Sequence, residues 1–107
     1  MVAGRYVQAQ VAVDSRERAA ELARSAVEAR LAACVQVVGP IVSTYRWQGA
    51  VETAEEYLLL AKTRADLSEA LAEHIRAAHP YDVPEIITVP IEHGLPDYLA
   101  WIDAETS

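Results

Sequence analysis

The densest chemistry in this sequence lies in His79-Pro80-Tyr81-Asp82-Val83-Pro84-Glu85, where an imidazole, a phenol and two carboxylates are held between two prolines. Such side chains can ligate a transition metal, hold a small polar ligand, or cap backbone ends. Proline fixes its own backbone and pushes the residue before it out of the helical region, so Pro80 predicts a helix end at about His79 and Pro84 a fixed entry to a strand. The segment is therefore positioned. At a helix terminus His79 reads either as a copper or zinc ligand or as a cap whose cation suits the helix dipole, worth ~0.3–1 kcal/mol when exposed. The cap stands ahead, because caps are common and metal sites rare. His74 lies five positions earlier, off the helical face of His79, and His93 falls in a turn where water is its natural partner.

Cys34, between Ala33 and Val35, reads first as a small buried hydrophobe and second as a soft-metal ligand; no adjacent basic residue lowers its pKa. Glu85 and Lys62 stand at the ends of otherwise apolar strands, where a charge must be paired or solvated. They can form a salt bridge lining a cleft between subunits or an ordinary exposed pair. Tyr45 and Trp47 project to one side of their strand and Tyr81 can join them; aromatics of this kind anchor interfaces more often than ligand pockets. Glu52, Glu55 and Glu56 read as a solvated face before a weak hard-cation site. A Gly-rich phosphate loop, Cys-x-x-Cys, His-Glu-x-x-His and a nucleophile elbow are all missing from the sequence, so neither an enzyme nor an organic cofactor is signalled.

The elements that must position these groups follow from periodicity. Tyr6 to Val13 alternates, with Val7, Ala9, Val11 and Val13 on one face, and predicts a strand. Asp14 and Glu17 have capping-box spacing before Ala20, Ala23, Val27 and Leu31, which predicts a helix to about Ala32. Cys34 to Trp47 is rich in β-formers but broken by Gly39-Pro40, hence a long, bulged edge strand. Gln48-Gly49 turns the chain into a hairpin, and Val51 to Lys62, apolar on both faces over Tyr57 to Ala61, predicts a central strand. A second helix with Leu67, Leu71, Ile75 and Ala78 on one stripe ends at His79. Ile86 to Ile91 is a short edge strand because of Pro90, and Leu95-Pro96-Asp97 opens a last helix whose apolar face is Tyr98, Leu99, Trp101 and Ile102.

The order βαββαβ plus a C-terminal helix predicts one α+β, ferredoxin-like domain over residues 1–107, two helices covering one face of a four-stranded antiparallel sheet. The other face mixes Leu and Tyr with Gln8 and Gln10. Together with a long edge strand, that surface predicts self-association. Nine Lys and Arg against sixteen Asp and Glu give a net charge of -7, which opposes nucleic acid and anionic membrane as partners and favours cations. One cysteine, no apolar run long enough to span a bilayer, and no apolar h-region after Met1-Val2-Ala3-Gly4-Arg5 predict a soluble cytoplasmic protein.

Leu31-Ala32-Ala33-Cys34, Tyr45-Arg46-Trp47-Gln48-Gly49, Leu60-Ala61-Lys62-Thr63, His79 to Ile86, and Pro96-Asp97-Tyr98-Leu99-Ala100-Trp101-Ile102 together resemble the CutA family of divalent-cation tolerance proteins, in order and over nearly the whole chain. The resemblance implies a homotrimer similar in architecture to the PII signalling proteins, a role in tolerance of copper and other divalent metals, and no established catalysis. Some bacterial relatives carry a cysteine where this chain has Val11 and a histidine where it has Ala78, so of that copper set only His79 remains. The ligands expected on this basis are His79 with Cys34, Glu85 or a symmetry mate. The alternative is a PII-like regulatory trimer, binding a small molecule in intersubunit clefts through Tyr45, Trp47, Lys62, Tyr81 and Glu85 and docking an unidentified partner protein. A third reading is a scaffold whose main property is a very stable trimer.

Overall fold

The alternation of Tyr6–Val13 becomes β1 in a computed structural model, which describes residues 5–107; Val7, Ala9, Val11 and Val13 are all buried. The expectation of no leader rests mainly on residues 1–4, outside the described residues. β1 pairs antiparallel on one side with β3 (Ala50–Arg64), from Tyr6↔Arg64 to Val13↔Tyr57, and on the other with β4 (Ile86–Ile91). β2 (Cys34–Trp47) pairs with β3, so the order β2-β3-β1-β4 leaves β2 and β4 at the edges, as the prolines in both require. The result is the ferredoxin-like α+β sheet expected. The register slips between Val38 and Ile41, at the cis Gly39-Pro40 bond, and a Cβ at Gly39 would run into the Tyr57 ring. Gln48 (φ 48°) and Gly49 (φ 83°) then make the tight turn that two-residue hairpins need.

The first helix departs from expectation at both ends. α1 spans Arg16–Glu28, and its cap is Ser15, whose hydroxyl accepts the Arg18 N–H at 3.1 Å; Asp14 instead pairs with the Arg18 guanidinium at 3.5 Å. It stops four residues short of Ala32 because Arg30 turns left-handed (φ 60°), letting Arg30 N–H reach the Val27 carbonyl and Leu31 N–H that of Ala26. That is a Schellman closure built without glycine. The buried stripe is Ala19, Leu22 and Ala26, one position from the stripe expected, and Val27 is exposed. Alanines at 19, 20, 23 and 26 leave the phase of this helix ambiguous in sequence.

A 3-10 turn over Ala65–Leu67 leads into α2 (Ser68–Ala78), which buries Leu71 and Ile75 but leaves Ala78 exposed, and His79 ends it with extended backbone. These side chains, with Leu22 and Ala26, close over Ala9, Val11, Val13, Leu59 and Ala61 as the main core. α3 (Pro96–Glu105) splits its expected apolar face. Leu99 and Ile102 pack inward on Tyr6, Ala33 and Ile91, while Tyr98 and Trp101 point outward, their rings 5.5 Å apart. Tyr6 and Ile91 alternate with the core residues of their strands, so α3 covers one end of the face expected to be open.

Beyond Val13↔Tyr57, β2 and β3 continue as a two-stranded arm, Ile41–Trp47 against Ala50–Glu56, reaching ~23 Å past the third strand at ~3.3 Å per residue. Val42 is 76% exposed and Val51 65%, with Tyr45 and Trp47 also exposed. Such a ribbon alone is marginal in water.

Candidate functional site

His79 is buried at the end of β1. Its Nε2 lies 2.8 Å from the Ala12 carbonyl, which can only accept, so Nε2 carries the proton; Nδ1 then accepts the Tyr81 N–H at 3.1 Å. Both ring nitrogens are thus engaged. The Pro80 bend that ends α2 brings the Tyr81 ring edge-on to the imidazole, with centroids 4.7 Å apart, and sends the phenol to Glu56 Oε2 at 2.8 Å. Burial first, then the Glu56 carboxylate, pushes the Tyr81 pKa well up, with Asp14 and Tyr45 adding to it. Tyr81 is a fixed donor.

Glu56 corrects the reading of its cluster. Glu52 and Glu55 are solvated, but Glu56 is 8% exposed and bonded to Tyr81. It sits one residue beyond the last β1 pair, where the arm leaves the sheet, and nothing in Glu52-Thr53-Ala54-Glu55-Glu56 distinguishes it. Only the register shows it. Directly paired residues share a face, so Ile41↔Glu56 and Tyr45↔Glu52 put Tyr45 and Trp47 on the same face as Glu56.

Cys34 is half-buried and faces Lys62 across the β2–β3 ladder, and Lys62 bonds to the Gln36 amide. Lys62 and Glu56 are six residues apart on β3, so they lie on one face ~20 Å from each other. The Tyr98 pKa is raised, first by burial and then by the Cys34 thiol. Glu85 is exposed and makes no ion pair among the described residues, so the Glu85–Lys62 bridge is not formed within the chain.

Cys34, Lys62, Tyr45 and Trp47 thus share one face of the sheet, while His79 and Tyr81 stand at the end of β1, where the phenol reaches Glu56. Cys34 and His79 do not converge within the chain, since the Cys34–Lys62 pair registers with Gln8 while His79 binds at Ala12, ~13 Å along β1. Among the described residues no three His, Cys, Asp or Glu side chains stand close enough to hold one ion. His74 Nε2 lies 2.7 Å from Ser25 Oγ and ties α2 to α1. His93 is exposed beside α3, as expected for a turn histidine.

The chain is similar to known proteins over nearly all its length. The family described as "CutA1 divalent ion tolerance protein" matches residues 7–105. The chloroplastic CutA protein of Arabidopsis thaliana is 48% identical over 96 residues, 90% of this chain, which spans only 53% of that protein. The divalent-cation tolerance protein CutA of Thermus thermophilus is 46% identical and is covered over 93% of its length. The crystal structure of CutA from Xylella fastidiosa superposes with a TM-score of 0.94 at 41% identity, covering 96% of this chain and 99% of that one. Sheet order, hairpin arm and the His79–Glu85 corner therefore stand on a shared fold, and the chain belongs to the CutA family of divalent-cation tolerance proteins.

Proposed function

We propose that the chain acts in divalent-cation tolerance as a homotrimer in the cytoplasm, binding copper or a similar cation at a site completed across a subunit boundary, without catalysing a reaction. The observation that carries this reading is the arm. A two-stranded ribbon with Val42, Val51, Tyr45 and Trp47 exposed needs a neighbour, and the free edge of β2 offers one backbone hydrogen bonds. Because His79, Cys34 and Glu85 are separated within one chain, a metal held by them draws its ligands from more than one copy. His79 would coordinate through Nδ1, exchanging the Tyr81 N–H for the ion. Cys34 would supply a thiolate and Glu85 an oxygen.

The second reading is a regulatory trimer that binds a small molecule or a partner protein. It is favoured by one observation, the placement of Tyr45, Trp47 and Lys62 on a single face with the Tyr81 phenol reaching it at Glu56. Calorimetric titration of the demetallated protein with copper, zinc and a set of nucleotides, repeated on His79→Ala, separates the two. Copper binding lost in the variant supports the first reading. Copper binding unchanged in it removes His79 from the ligand set, and saturable binding of a nucleotide alone supports the second. Light scattering at low micromolar concentration tests the assembly, and a monomeric mass would overturn it.

A further inference from the structure

The buried polar atoms left without a hydrogen bond among the described residues cluster around the start of β1. Thr63 Oγ1 and Arg64 Nε belong to β3 residues whose cross-strand partners are Val7 and Tyr6, and Asp103 Oδ1 belongs to the α3 carboxylate whose other oxygen accepts the Tyr6 hydroxyl at 2.5 Å. Arg64 Nε lies 3.2 Å from Asp66 Oδ1, close enough for charge attraction but not aligned for a hydrogen bond. Thr63 shares the face of Val7, turned away from α3, so only Arg64 and Asp103 belong to the cavity lining here; native proteins satisfy nearly all such atoms, and these two call for a reason.

Two cavities open at the same place, of about 370 Å³ and 260 Å³, and Arg5 lines both. The larger lies between the start of β1 and α3, with Leu99, Pro96 and Ala100 as its apolar wall and Arg5, Tyr6 and Asp103 as its polar one. Its size suits a small organic ligand. The Arg5 guanidinium approaches Asp103 only to 3.8 Å, lies 5.7 Å from the centre of the Tyr6 ring and is 59% exposed, so most of its donors face the open cavity and water. The Tyr6 pKa is raised, first by its bond to Asp103 and then by burial, which keeps the phenol a donor to that carboxylate.

Opposite charges stand side by side there. A simple anion meets Asp103 and the chain's net charge of -7, whereas a simple cation meets Arg5. A molecule with a carboxylate and an ammonium a few ångströms apart satisfies both. We propose that this cavity binds an α-amino acid with an apolar side chain, its carboxylate on Arg5, its ammonium on Asp103 and its side chain against Leu99, Pro96 and Ala100. The site needs no metal and shares no residue with the metal ligands proposed above.

Calorimetric titration of the intact, chelator-treated protein with L-leucine tests it, with N-acetyl-leucine and leucinamide removing the ammonium and the carboxylate in turn. Saturable leucine binding is expected, weakened at least about tenfold for each analogue and in Arg5→Gln and Asp103→Asn. Arg5 is exposed, so its variant keeps the fold, which thermal melting checks; if Asp103→Asn lowers the melting temperature, Arg5→Gln decides. Absence of saturable leucine binding up to ~10 mM, equal binding of either analogue, or unchanged binding in Arg5→Gln overturns the proposal.

Discussion

The body of the sheet and the arm that leaves it are built from the same two strands, yet they are stabilised in different ways. Up to Val13↔Tyr57, β3 lies between two strands and beneath two helices, and Leu59 and Ala61 are almost wholly buried. Eight residues from Leu59 on the same strand, Val51 stands mostly in water. The chain supplies the partners of the first region itself, whereas those of the second come from a neighbouring copy in the proposed trimer. Substitutions of one chemical type should therefore act on folding in the body and on association in the arm.

The largest effect is expected from Leu59→Ala. Removing a side chain at the centre of the core leaves a cavity in a region that cannot fully collapse, and ~2–5 kcal/mol of unfolding free energy should be lost in a urea titration. An equally large loss from Val51→Ala would erase the distinction between the regions, since that side chain is exposed in the single chain.

Next comes Tyr81→Phe, at the boundary between the two. It strips the donor from the buried Glu56 carboxylate, and about 1–3 kcal/mol should be lost at neutral pH. A pH signature goes with it. The Tyr81 pKa is raised on folding above its ordinary value of 10.0, so its contribution is fully present below about pH 10 and is lost as pH rises toward the folded pKa. Wild-type stability should therefore fall more steeply than that of Tyr81→Phe above that pH. Comparing the two removes the contributions of Tyr6 and Tyr98, whose pKa values are also raised. Parallel curves would detach Tyr81 from the anchoring of the arm.

In the arm itself, Trp47→Ser combined with Val42→Ser should change the unfolding free energy of the dissociated chain by less than ~0.5 kcal/mol. The dissociation constant of the assembly should rise at least about tenfold, measured by light scattering over a dilution series. A loss of chain stability with no change in association would reverse the assignment of the two regions.

The body was the more legible region in sequence. Strict alternation in Tyr6–Val13, a run apolar on both faces in Tyr57–Ala61, and prolines in Cys34–Trp47 and Ile86–Ile91 are local signals, and each became the strand and sheet position it implied. The errors came where competing local signals were nearly equal. Asp14 and Ser15 both can cap a helix, and four alanines gave α1 two plausible buried stripes. The site was less legible because its pairings are long-range. His79 reaches Ala12 across 67 residues and Tyr81 reaches Glu56 across 25, and no periodicity encodes either. Pro80 did mark the end of α2, while Arg5, Tyr6 and Asp103 were invisible because they meet from opposite ends of the chain.

The smallest expected effect tests the same contrast through backbone conformation. Arg30 and Gln48 both sit in the left-handed region, at φ 60° and 48°, one closing α1 in the body and the other turning the arm. A side chain there is strained, and glycine relieves the clash with the following carbonyl, although it gives the unfolded chain more freedom to lose. At Arg30 the closure is fixed by Leu31 and Arg30 N–H bonds to Ala26 and Val27, so Arg30→Gly should raise stability by about 0.5–1 kcal/mol, slightly reduced by loss of the exposed bond to the Glu105 carbonyl. At Gln48 the turn stands far from the core, so Gln48→Gly should leave the melting temperature of the dissociated chain unchanged while altering association. If both variants raise that melting temperature alike, the arm folds cooperatively with the body and its stability is intrinsic to the single chain.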